Sequence, residues 1–257
     1  MSGPAGALAA APLAAYLSGE GGVGRPTTTD QPMPGLKAAI VPVTPFEQNC
    51  AILYDETSRR GVVVDPGGEA ERIAELIEAR GICIERILLT HGHLDHAGGA
   101  AALKERLERA TGGSDAPPAP VPIEGPNEAD RFLLDSLAQQ CRAYGIAGGR
   151  DVRPDRWLAE GDRVRIADYA FEVFHCPGHT PGHVTFFSPQ LRLLVGGDVL
   201  FRGSIGRTDF PYGDHAALLE AIRSKLYPLG DDVTVLCGHG PGTTIGQERR
   251  GNPFVRG

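Results

Sequence analysis

The sequence predicts an α/β fold in which strands and helices alternate along one large domain and the strand ends carry a metal site. Three observations predict it. From residue 36 onward, short β-rich runs alternate with amphipathic helical patterns. One apolar run is followed at once by His91, Gly92, His93, Leu94, Asp95 and His96, so four metal-competent side chains fall in six positions. Three later strand patterns each end in a glycine-flanked His or Asp, at His179, Asp198 and His239.

Residues 1–36 are mostly Ala, Gly, Pro and Thr with little charge. Such a composition buries too little apolar surface to offset chain entropy, so a disordered tail is expected, with residues 37–257 as the folded domain. The run at 7–16 has the apolar character of a secretory signal, but no Lys or Arg precedes it and Pro12 interrupts it. Runs at 38–43, 50–54 and 61–64 read as an opening antiparallel sheet. The third ends at Asp65, Pro66, Gly67 and Gly68, a turn into a helix over about 69–80 with Ile73, Leu76 and Ile77 on one face and Gly81 as its stop. Asp65 can cap that turn or hold a ligand histidine by hydrogen bond.

Residues 87–89 form the strand that delivers the histidine cluster. In an extended segment side chains alternate sides, so His91 and His93 reach one point while Asp95 and His96 reach a second. That spacing suggests two metal ions. Imidazole and carboxylate without thiolate suit Zn, Fe or Mn better than Ca or Mg. Three of the chain's eight histidines sit in this stretch, which a merely solvated loop does not explain. A helix is expected from about 97 to 110, then a Gly/Pro/Ala-rich loop over 111–120, a short edge strand at 122–123 and a helix over 127–144 with Phe132, Leu133, Leu137 and Cys141 as its apolar stripe. Strands at 169–175, 191–195 and 233–236 then lead to His179, Asp198 and His239, and 214–227 reads as a helix packed through Leu218, Leu219, Ile222 and Leu226. The ligand count closes: His91, His93 and His179 can hold one ion, Asp95, His96 and His239 the other, with Asp198 bridging. His175 and His183 read as buried hydrogen-bonding residues, and His215 as solvated.

The 257 residues can bury roughly 70–75% of their unfolded surface. With 25 basic and 32 acidic residues, a net charge of -7 and no Lys/Arg block, neither nucleic acid nor an anionic membrane is the expected partner. A small-molecule substrate is. Five scattered cysteines with no C-x-x-C pair indicate free thiols in a reducing compartment, the cytoplasm. No apolar run is long enough to span a bilayer. A monomer is consistent with all of this, and the oligomeric state stays open.

The motifs T-H-G-H-L-D-H, P-G-H-T-P-G-H, G-G-D-V-L-F and C-G-H-G resemble, in order and spacing, those of the metallo-β-lactamase superfamily. F-R-G-S-I-G-R-T-D-F and the closing N-P-F-V-R resemble its glyoxalase II group, the hydroxyacylglutathione hydrolases, in the short bacterial form without the C-terminal helical extension. The resemblance implies a four-layer αββα sandwich of two mixed β-sheets. It implies as metal ligands His91, His93, Asp95, His96, His179, Asp198 and His239, two divalent ions with zinc foremost and iron or manganese as alternatives, and a glutathione thioester as substrate, S-lactoylglutathione first. On this reading a metal-bridging hydroxide attacks the thioester, Asp95 serves as ligand and catalytic residue, and Asp65 and His183 support the ligands. The family's substrate-binding lysine, nine residues after the bridging aspartate, is Arg207 here, and the aromatic residue two positions later is Asp209. Arg256 is the one candidate for the contacts made elsewhere by the missing extension. The alternative within the superfamily is a persulfide dioxygenase with one iron, and a nuclease of the same fold is disfavoured by the acidic balance.

Overall fold

The computed structural model describes residues 35–111 and 119–257. The expected tail, up to residue 34, and most of the 111–120 loop lie outside them. The first sheet is built from β1 (Leu36–Val43), β2 (Gln48–Asp55), β3 (Arg60–Val64), β4 (Cys83–Leu88) and β5 (Ile123–Glu124) in that spatial order. Its first three strands are antiparallel, as the turn spacing predicts, and β3, β4 and β5 run parallel. Parallel neighbours need crossovers. These are α1 (Ala70–Ala79) between β3 and β4, and α2 (Leu94–Ala97) with α3 (Ala100–Thr111) between β4 and β5.

The second sheet contains β6 (Arg163–Ile166), β7 (Tyr169–His175), β8 (Val184–Ser188), β9 (Leu193–Gly197), β12 (Thr234–Cys237) and β13 (Thr243–Thr244), in the order β13-β12-β9-β8-β7-β6. Only β9 and β12 are parallel in it. A two-stranded hairpin, β10 (Leu200–Phe201) and β11 (Ser204–Ile205), stands outside both sheets.

Alternation along the strands explains the layers. On β2, Ala51 and Leu53 face the second sheet and pack with Phe171, Val173 and Phe186, while Cys50, Ile52 and Tyr54 face the helices and pack with Ile73, Ile77 and Leu103. Both faces are buried, so the strand reads as a continuous apolar run. A third cluster covers the far side of the second sheet, where Leu194, Val235 and Cys237 meet Leu218 and Ile222. The result is the expected αββα sandwich. Its middle layer holds Phe171 and Phe186 with no exposed surface, and truncating either to Ala removes roughly 3–5 kcal/mol of stability.

The helix expected over 127–144 is broken. A 3-10 turn at Glu128–Asp130 precedes α4 (Arg131–Leu134), and α5 (Leu137–Ala143) follows separately. Ser136 causes the interruption: its hydroxyl donates to the Phe132 and Leu133 carbonyls at 2.9 and 3.2 Å, competing with the backbone ladder. Leu133, Leu137 and Cys141 are buried, whereas Phe132 turns outward at 46% exposure. The helix expected over 214–227 is regular only in α6 (His215–Ala221). It continues as a π turn at Ile222–Leu226 and a 3-10 turn at Tyr227–Leu229, where Pro228 lacks the N–H that would extend it. A last helix, α7 (Ile245–Gly251), follows β13.

Candidate metal centre

Strand ends of the two sheets meet at one edge. After β4, His91 and His93 lie in extended chain, with His93 (φ -69°, ψ 150°) preceding α2. Asp95 and His96 sit on that single helical turn rather than in an extended segment, and the turn swings them to a different point from His91 and His93. His179 follows β7, Asp198 follows β9 and His239 follows β12.

The sequence-predicted ligands converge. His93 Nδ1 is 3.1 Å from His91 Nε2 and 3.0 Å from His179 Nε2. On the other side His239 Nε2 is 3.3 Å from both His96 Nε2 and Asp95 Oδ2. Asp198 stands between the two groups, with Oδ2 3.5 Å from both His179 Nε2 and His239 Nε2, and Oδ1 3.4 Å from His96 Nε2. Gly238 makes room for it, since a Cβ there would fall 2.1 Å from Asp198 Oδ1.

Outer hydrogen bonds fix which nitrogen faces inward. His179 Nδ1 lies 2.8 Å from the Arg207 carbonyl and His239 Nδ1 3.2 Å from the Phe46 carbonyl. A carbonyl only accepts, so each Nδ1 carries a proton, and in the neutral ring each Nε2 presents a lone pair. His96 Nδ1 donates to Asp65 Oδ2 at 2.9 Å. The Thr90 hydroxyl donates to Asp65 Oδ2 at 2.6 Å and so accepts from His91 Nδ1 at 3.0 Å. Asp65 therefore orients two imidazoles, one directly and one through Thr90, and also accepts from Thr90 N at 2.8 Å. It does so from a left-handed backbone, φ 51°, a conformation that persists for a non-glycine residue where its surroundings hold it. His93 is oriented the other way round, with Nε2 2.8 Å from the Tyr212 hydroxyl. His183 accepts from Asp198 N at 3.0 Å and stacks on His91 with ring centroids 4.7 Å apart.

Charge is divided between the halves. Burial drives the pKa of His91 well below the imidazole range and that of His93 down to about 3, and it lowers His179 as well, so this group is neutral. Burial opposes ionisation of Asp95 and Asp198 too, but the facing imidazoles win and hold both below the usual carboxylate range. The same carboxylates raise His96 and His239 against the pull of burial. Inward nitrogens beside the buried Asp198 carboxylate and the partly buried Asp95 carboxylate call for a cation. Asp198 Oδ1 is buried without a hydrogen-bond partner, so the donor set fits divalent metal.

The cluster opens into a cavity of about 720 Å³ walled by Phe46, Tyr144, Phe201, Phe210 and Tyr212, with Arg207 at its edge. Arg207 is engaged already: Nε and Nη2 donate to the two Asp209 oxygens at 2.7 and 2.8 Å, and its guanidinium lies 4.5 Å over the Phe210 ring. Arg256 is not brought to this cavity. Asn252 donates to the Ser204 carbonyl and accepts from Phe254 N and Val255 N, which turns the chain end away, and Arg256 lines a separate depression with Arg223, Tyr227 and Arg249. Sequence reading missed Gln48, 3.4 Å from His96 Nδ1, and Tyr212 and Asp130. Thr90 had a signal in its position before His91; Tyr212 and Asp130 had none, because their partners are distant in the chain.

A sandwich that gathers imidazoles and carboxylates from both sheets onto one edge is the architecture of a metal-dependent hydrolase. The chain belongs to the metallo-beta-lactamase superfamily, whose sequence pattern matches residues 43–239. Hydroxyacylglutathione hydrolase GloC of Haemophilus influenzae is 45% identical over 217 residues, covering 84% of this chain and 96% of that protein. The crystal structure of the BLEG-1 B3 metallo-beta-lactamase superposes with a TM-score of 0.74 at 35% identity, covering 86% of this chain and 100% of the other. TTHA1623, crystallised in a di-iron-bound form, gives 0.72 at 36% identity, covering 84% and 100%. Among the described residues no helix is long and apolar enough to cross a membrane.

Proposed function

We propose that this metallo-hydrolase is a hydroxyacylglutathione hydrolase, cleaving S-lactoylglutathione to lactate and glutathione with two divalent ions, zinc foremost. The observation that carries the reading is Asp198, a buried carboxylate lying between two ligand groups with one oxygen unpartnered. The GloC relative, matched over nearly its whole length, supports the thioester class. His91, His93 and His179 would hold one ion, Asp95, His96 and His239 the other, and Asp198 both. The ions supply Lewis acidity at the thioester carbonyl and an activated water at neutral pH.

The chain's own residues do the rest. Asp65, Thr90 and the Arg207 and Phe46 carbonyls fix the tautomers of four imidazoles and Tyr212 orients the His93 ring before substrate arrives, so no reorientation is needed during reaction. Asp95, part of the ligand set and lining the cavity, can orient the attacking water. The aromatic walls exclude bulk water from the scissile bond. The leaving thiol has a pKa near about 8.5 and departs as thiolate, which removes the need for a general acid. Arg207 is proposed to meet a substrate carboxylate at the cavity edge. Residues 37–257 are proposed as the catalytic domain, and the five free cysteines support a cytoplasmic location.

The test is purified, metal-replete protein given S-lactoylglutathione and, separately, glutathione persulfide, with thiol release and oxygen uptake both followed. Thiol release from the thioester without oxygen uptake is expected. Oxygen uptake on the persulfide with one iron per chain would replace the hydrolase by a dioxygenase.

A further inference from the structure

Asp130 lies on the 3-10 turn before α4, far in sequence from every ligand, and its side chain has no exposed surface. Its carboxylate accepts three hydrogen bonds. Gly92 N donates to Oδ2 at 2.9 Å, the Thr180 hydroxyl to Oδ2 at 2.7 Å and Gly182 N to Oδ1 at 2.6 Å. Gly92 separates His91 from His93, Thr180 follows His179, and Gly182 precedes His183, whose ring receives the Asp198 N–H. Every hydrogen bond its carboxylate makes therefore lands on a loop that carries candidate ligands. The turn reinforces this, since Asn127 N donates to the Gly182 carbonyl at 3.0 Å while the Asn127 side chain caps the turn at Ala129 N. Contact is so close that a Cβ on Gly182 would come 2.6 Å from Asp130 N.

We propose that Asp130 is a positioning residue for one of the two metal ions: it clamps the His91–His93 loop of the first sheet to the His179–His183 loop of the second and thereby holds the His91, His93 and His179 group at ligating distance. Its side chain bonds to the loops of His91, His93 and His179 and makes no hydrogen bond to Asp95, His96 or His239, so its effect falls first on one half of the centre and reaches the shared Asp198 only through His183. A buried carboxylate meets three donors with two oxygens. Its amide replacement keeps the shape but turns an NH2 group against N–H or O–H donors, which pushes the loops apart. Partners that orient metal ligands typically govern affinity by roughly 10- to 100-fold.

The inference rests on the two-ion reading, and the experiment separates the two. Metal-free full-length chain is titrated with Co2+, read by visible absorption and by calorimetry, for wild type, Asp130→Asn, Thr180→Val and His239→Ala. The expected result is two binding events in wild type and a loss of roughly 10- to 100-fold in one of them in Asp130→Asn, the event that persists in His239→Ala. Thr180→Val, which removes one donor and leaves the carboxylate, loses affinity at the same site by less. Equal weakening of both events, or no change in either, overturns the proposal. A single event in wild type overturns the two-ion reading, and the clamp then stands or falls on whether Asp130→Asn weakens that event. Where Asp130→Asn does not fold, unchanged Co2+ affinity in Thr180→Val overturns it.

Discussion

Arg207 lines the cavity and is paired with Asp209. The guanidinium presents its fork to Asp209, yet both side chains are largely exposed, at 63% and 68%, and pairs of that kind hold weakly in water. A substrate carboxylate can take over the fork. Arg207→Ala is then expected to raise KM for a glutathione thioester by roughly tenfold and to spare kcat, because the contact is remote from the reacting carbonyl and alike in ground and transition states. Asp209→Asn is expected to do the reverse, lowering KM, since it frees the fork. A short thioester without a carboxylate is the control, and equal effects of either change on both substrates would sink the binding role. The pair is the alternative that the sequence left open beside a binding role, an exposed Arg207 bracing Asp209. The seven candidate ligands were legible because few residue types bind metal and each stands beside a glycine or another candidate ligand at a strand end. Asp130 and Tyr212 were not, since nothing local distinguishes an acid or a tyrosine that will meet its partners only after folding.

Elements were legible to the degree that a periodic apolar pattern ran without interruption. Strand β7 and helix α1 were readable for that reason, whereas β6, β8, β10, β11 and β13 were passed over. The helix over 127–144 failed for a different cause, the Ser136 hydroxyl competing for carbonyls. The chain end is the instructive element. N-P-F-V-R drew attention as a ligand-contact motif, but the structure uses Asn252 to lock the chain after α7, with its amide on the Ser204 carbonyl and the Glu248 carboxylate at 2.9 and 2.8 Å. Glu248 in turn holds Gly203 N at 2.8 Å, beside the hairpin that lines the cavity. Asn252→Ala strands these buried partners and is expected to lower stability by roughly 2–3 kcal/mol, measured by urea unfolding. A cost below about 0.5 kcal/mol, the usual size for a surface change, would mean the lock is not structural.

At the scale of the whole molecule the metal centre joins the two sheets. His91, His93, Asp95 and His96 leave the end of β4 in the first sheet, whereas His179, Asp198 and His239 leave the second, and each ligand group draws on both. Packing between the sheets, through Leu53, Phe171 and Phe186, holds the sandwich without reference to the edge. The edge is different. It concentrates inward nitrogens and two carboxylates, Asp198 buried and Asp95 partly so, whose mutual repulsion is relieved by positive charge. A metal that binds this assembled edge far more tightly than the unfolded chain adds about 4 kcal/mol to stability at a free concentration a thousandfold above Kd. For a chain of this size that corresponds to roughly 10 °C in Tm. Thermal unfolding of chelator-treated chain across buffered free zinc is expected to show Tm rising with the logarithm of metal concentration. Asp198→Ala should remove most of that rise, because it deletes the carboxylate between the two groups. A Tm indifferent to metal would mean that the sheets alone set the stability and that the centre is an attachment to the fold rather than a bond across it.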